Sequence, residues 1–186
     1  MSVLHALWLP ILLSSVFVFV CSFILNAALP WHKSDYGKVP DEDRVMEALR
    51  PFGIPPGDYM LPRCTSAAES KAPAFIEKVK KGPVMIFTVM PNQMFEMGKS
   101  LGLWFVYLLA IGFFSAYVSL HALPVGAACR QVCRFVGTTA FLAYAGALWQ
   151  MSIWYRRSWA TTIKFTIDGL IYAGITAATF GWLWPR

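Results

Sequence analysis

Four long apolar runs alternate with polar stretches along the chain. They lie at roughly Leu4–Leu29, Leu101–Leu123, Val132–Tyr155 and Thr161–Trp184. Each reaches the ~20 residues that a helix needs to cross a hydrocarbon core of about 30 Å. The pattern predicts an all-α membrane protein with four transmembrane helices. Residues 1–30 form the first span, 31–100 an extramembrane unit and 101–186 the other three spans. Short links, "PVGAACRQ" and "RRSWA", imply antiparallel neighbours among the last three spans.

The long connection has its own polar and apolar rhythm. It holds nine of the ten acidic residues and nine of the twelve prolines. "PDEDRVMEALRPFG" places acids at a helix N-terminus and Val45, Met46 and Leu49 on one face, with Pro51 and Gly53 as the stop. "APAFIEKVKKG" repeats the scheme with Phe75, Ile76 and Val79, lysines in the last turn and Gly82 beyond it. "GDYMLP" and "PVMIFTV" read as strands. The expected order is helix, strand, helix, strand, a small α/β unit whose strands could pair in parallel through a right-handed crossover. About 65 residues make a marginal core, so the unit is expected to rest on the membrane surface or on the spans.

Composition agrees with the pattern. Of the 186 residues, 57% are hydrophobic and 14% charged, against about 25% charged in soluble domains. The net charge of +6 does not point to nucleic acid. Lys33, Lys99, Arg130, Arg134, Arg156, Arg157 and Arg186 flank the apolar runs, where basic side chains anchor to headgroups. Most tryptophans also fall near the run ends, as in an interfacial belt. The first run has no basic n-region and is too long for a signal peptide, so an uncleaved span is expected. More Lys and Arg flank the long loop and the 3–4 turn than the other face. That bias predicts a cytoplasmic loop with both termini outside. In its general look the chain resembles small bacterial inner-membrane proteins, which implies that membrane.

The fourth run contains an acid, in "TIDGLIYAG". Lys164, Asp168, Tyr172, Thr176 and Thr179 fall on one side of its helix. Beside them, Gly169, Ala173, Ala177 and Gly181 form a small-residue ridge that allows close helix approach. Asn26 and Gln150 are expected at similar depth. The first reading is an interhelical polar cluster of Asn26, Gln150, Lys164 and Asp168. The alternative is a proton or cation site.

A second set lies at the opposite face. His5, His121, Cys129 and Cys133 carry ligand types that suit zinc or copper. Met90, Met94 and Met97 could suit copper(I), although spaced methionines more often make adaptable apolar contacts. No cofactor is otherwise expected. No serine-hydrolase elbow, zinc-protease motif, phosphate loop or Cys-x-x-Cys pair occurs. The function expected first is a non-enzymatic structural or accessory subunit, in contact with lipid and with copies of itself or another membrane protein. A small oligomeric transporter or channel around Asp168 comes second, and metal handling third.

Overall fold

A computed structural model describes residues 7–94 and 96–185. The chain is mostly helical and divides into two compact units. One unit comprises 7–36 and 96–185, and the other 37–94.

The first unit is built on four long helical segments. Helix α1 (Trp8–Phe23) continues into a π-helical turn at Ile24–Ala28. Helices α2 (Glu42–Leu49), α3 (Ala67–Ser70) and α4 (Pro73–Lys81) belong to the second unit. The bundle resumes with α5 (Met97–Ala122), then α6 (Cys129–Ala145) and its short continuation α7 (Leu148–Ile153). It closes with α8 (Trp159–Leu183). The segments pack in a ring: α1 on α5, α5 on α6, α6 on α8, and α8 on α1. Three stretches are long and apolar enough to cross a membrane: Trp8–Ala28, Met97–Ala122 and Cys129–Ile153. They fit an integral membrane protein. At 25 residues α8 is long enough, but its Lys164, Asp168 and threonines make it more polar.

The bundle has an apolar exterior and an interior that mixes apolar clusters, such as Val132, Val136 and Phe180, with polar side chains. Buried positions include Ser14, Ser15, Ser22, Ser152, Thr161, Thr162, Asp168, Thr176 and Thr179. Outward positions include Leu12, Val16, Val20, Leu103, Val106, Phe114, Leu142, Ile163, Ile167 and Leu170. Many of the hydroxyls bond back to their own helix: Ser15 donates to the carbonyl of Ile11, Thr176 to that of Tyr172 and Thr179 to that of Ile175. Ser152 and Thr162 join α7 to α8 at 2.7 Å. This arrangement suits hydrocarbon surroundings, where close packing and internal hydrogen bonds hold helices together.

Close packing is concentrated between α6 and α8. A Cβ added at Gly169 would lie 3.0 Å from the Cβ of Ala145, and one at Gly137 would lie 3.2 Å from that of Ala177. At Gly181 it would come within 2.6 Å of the Cys133 sulfur. Ala173 packs with Ala140 and Ile111. The small-residue ridge is therefore used inside the chain.

In the second unit, strands β1 (Gly57–Leu61) and β2 (Met85–Val89) pair antiparallel, from Gly57 opposite Val89 to Leu61 opposite Met85. The parallel pairing expected from the sequence is corrected by this register. The expected helix, strand, helix, strand elements occur in that order, with one short helix added. The connection from Pro62 to Val84 contains two helices, α3 and α4, and the chain leaving the sheet at Leu61 returns beside it at Met85. Ser66 caps α3 by accepting from the Glu69 amide, while the Glu69 carboxylate accepts from the Thr65 amide and hydroxyl. That reciprocal capping defines a short helix without any apolar periodicity. Tyr59 and Phe87 stack across the ladder, ring centres 5.6 Å apart.

Candidate functional site

Local backbone geometry brings the residues after α1 onto α8. At the end of α1 the amide of Leu29 bonds to the carbonyl of Ile24, which widens the last turn. Pro30 then opens a 3-10 turn, Pro30–His32, a position where proline's missing N–H is not needed. Trp31 and His32 thereby reach α8.

Asp168 is buried, with its side chain only 2% exposed. Trp31 Nε1 donates to its Oδ1 at 3.2 Å. His32 Nε2 faces its Oδ2 at 2.8 Å. The other imidazole nitrogen, Nδ1, lies 2.6 Å from Asp35 Oδ2. Asp35 Oδ1 accepts from Lys164 Nζ at 3.0 Å. Lys164 also donates to the Trp31 carbonyl and to Ser34 Oγ, both at 2.8 Å, so its three hydrogens are all engaged. The result is a linear array of carboxylate, imidazole, carboxylate and ammonium.

Hydrogen counting relates the array's charge to its two imidazole contacts. An imidazole between two carboxylates forms both bonds only if one extra proton resides on the ring or on a carboxyl. That proton and Lys164 offset the two carboxylates, so the array as a whole is neutral. Burial pushes the Asp35 carboxyl up, but hydrogen bonds from His32 and Lys164 and their charges outweigh it. The group is held below the usual carboxylate range. Phe165 packs beside the array, its ring centre 4.7 Å from that of His32, and the Arg157 guanidinium lies 4.7 Å from the centre of Phe165.

Asp168 also lines a cavity of about 650 Å³ among α1, α5, α6–α7 and α8. Its walls include Phe19, Phe23, Trp104, Tyr107, Tyr144, Phe165 and Tyr172. The walls are themselves braced: Trp104 Nε1 donates to Ser22 Oγ and the Tyr107 hydroxyl to the Ala143 carbonyl, each at 2.9 Å. Among the described residues, Asp168 is the only charged one in the lining. A concave, mostly apolar space of this size with one convergent polar group is the usual form of a small-molecule site.

The residues singled out from sequence are distributed as follows. Asn26 lines the cavity with Asp168, but its amide donates to the Ser22 carbonyl at 2.9 Å. Lys164 is in the array one step removed, on Asp35. Gln150 is exposed on α7, beyond the helix break at Gly146–Ala147, and makes none of the array's hydrogen bonds. Of the suggested metal set, His5 lies outside the described residues. His121 is exposed and its Nδ1 faces the carbonyl of Tyr117 at 2.8 Å. The Cys129 and Cys133 sulfurs are 3.8 Å apart, and Cys133 donates to the Ala177 carbonyl. Among the described residues no group of three or more His, Cys, Asp or Glu is placed to hold a metal.

Trp31, His32, Ser34 and Asp35 were not expected as partners of Asp168. The available signal is "PWHKSD", which places an imidazole and a carboxylate three residues apart just past an apolar run. No protein-family model matches the chain, and neither a curated protein nor a solved structure does.

Proposed function

We propose that this chain is a multi-pass integral membrane protein that binds a small molecule beside Asp168 and moves it across the bilayer. In this reading α8 is the fourth span, the membrane is a bacterial inner membrane and the long loop is cytoplasmic. The observation that carries the reading is a buried carboxylate at the edge of a cavity of about 650 Å³, inside a bundle with an apolar exterior. Ionisable groups at membrane depth usually mark substrate or proton pathways. The test is native mass spectrometry of the full chain extracted gently from its own membrane. Bound mass of a few hundred daltons, lost in Asp168→Asn, supports the reading. A chain that carries nothing in either form contradicts it.

A second reading, an accessory subunit, draws on the loop unit. No residue of 37–94 is buried, and Val45, Met46, Leu49, Phe52 and Met60 are exposed. A stoichiometric heteromeric mass in the same experiment would favour that reading. Intramolecular use of the α8 ridge removes one of the arguments for oligomerisation.

A further inference from the structure

The cavity's chemistry narrows the ligand class, given the proposed site. We propose that it takes a lipophilic organic cation, and that each cation entering displaces one proton from the His32–Asp168 pair.

Charge selection comes from the lining. Asp168 is its only charged residue, and no Lys, Arg or His lines it among the described residues. Trp104, Tyr107, Tyr144, Phe165 and Tyr172 turn aromatic surface toward the same space. Aromatic faces attract cations, most strongly where water is excluded. An anion would meet the carboxylate with no cationic side chain in the lining to offset it.

Proton displacement comes from the array. Asp168 accepts one bond at each oxygen, from Trp31 and His32. A carboxylate has about four lone-pair positions, so acceptor capacity remains for a ligand. The array is neutral when empty, and a cation would leave it with one surplus charge in a low-dielectric setting. Release of a proton removes that surplus. With the proton on the ring, the His32 Nε2–H bond breaks, its electron pair stays on the ring, and the proton passes to water; with it on Asp168, the O–H bond breaks and the pair stays on the carboxylate. One positive charge enters as one leaves. Asp35 remains compensated by Lys164 at 3.0 Å. The groups that bear on His32 are Asp35 on its own turn, Lys164 and Asp168 on α8 and, across Phe165, Arg157. Cys21 on α1 and Tyr172 on α8 are close enough to Asp168 to feel its charge.

The test uses the full chain in detergent with three probes of similar shape: tetraphenylphosphonium, tetraphenylborate and neutral triphenylphosphine oxide. Calorimetry in buffers of different ionisation enthalpy counts the protons. The expected result is phosphonium binding with about one proton released and affinity rising toward about tenfold per pH unit. Borate should bind at least about tenfold more weakly. Asp168→Asn should weaken phosphonium binding by a similar factor. His32→Gln can still donate to Asp168 but holds no exchangeable charge. It should keep binding and lose the proton release, which a purely structural role for His32 would not produce. Equal binding of all three probes without proton release overturns the cation inference and leaves the cavity as a site. Binding of none of them, by a folded wild type, overturns both.

Discussion

The bundle and the loop unit use apolar residues in opposite ways. In the bundle, Leu108, Val132, Val136 and Phe180 are buried together with alanines, serines, threonines and Asp168, while further large apolar side chains cover the outside. In residues 37–94 amphipathic helices and a two-stranded ladder form, yet no side chain is buried. The difference lies in what supplies stability. Bundle helices are locked by interhelical contact and by hydrogen bonds that reach across the chain. The loop unit is organised by local devices: the Ser66–Glu69 cap, the Tyr59–Phe87 stack and a five-residue ladder. Two strands and short helices without a buried core are weak determinants by themselves.

Amide hydrogen exchange should separate the two regions most widely. Protection along α8 near Asp168–Phe180 should exceed that of β1 and β2 by several orders of magnitude. Equal protection would mean that the loop unit has a core of its own. Next in size is Asp168→Ala, which leaves Trp31 Nε1 and His32 Nε2 without their buried partner. Removing one member of a buried pair costs about 3–5 kcal/mol, read as a lower unfolding midpoint in detergent. Gly169→Leu should cost about 1–3 kcal/mol by forcing α6 from α8, whereas Phe52→Ser in the loop unit should change stability by less than about 0.5 kcal/mol. A comparable loss at both positions would erase the contrast.

The smallest effect is a pH dependence. Asp35 and Glu69 both sit below the ordinary carboxylate range. For Glu69 the largest cause is the hydrogen bond from the Thr65 amide. A depressed carboxyl contributes stability that is fully present above its unfolded value and lost as pH falls through the folded value. The stability gap between wild type and Asp35→Asn should therefore hold at pH 6 and shrink below about pH 4. A gap that widens on acidification would contradict the assignment of Asp35 as the array's second carboxylate.

Much of the bundle was legible because hydrophobic length is a local property. The runs at Leu101–Leu123 and Thr161–Trp184 correspond to α5 and α8 within a few residues, and the Gly169–Gly181 row was visible as a four-residue period. Asp168 stood out because an acid interrupts an apolar run. Its partners did not, because Trp31 and His32 meet it across 137 and 136 residues of chain, through a turn that periodicity does not describe. By sequence alone Trp31 is one of several tryptophans near a run end, and Asp35 one of nine acids in the long connection. Gln150 lies beyond Gly146, where the helix is interrupted, so a continuous helical period does not describe its position. Strand direction was misread for a related reason. Apolar patterning marks β1 and β2, while their pairing depends on the path between them, and capping residues define α3 there.

The central claim is that α8 crosses the bilayer with Asp168 turned inward. Nitroxide labels placed singly from Ile163 to Trp182, in liposomes, test it through their accessibility to oxygen and to a water-soluble nickel chelate. The account predicts a helical period in oxygen accessibility, with maxima near Ile163, Ile167, Leu170 and Trp182 and minima near Asp168, Tyr172 and Thr176. Nickel accessibility should be low through the middle of the helix. High nickel accessibility along all of α8, or an oxygen maximum at Asp168, would contradict it.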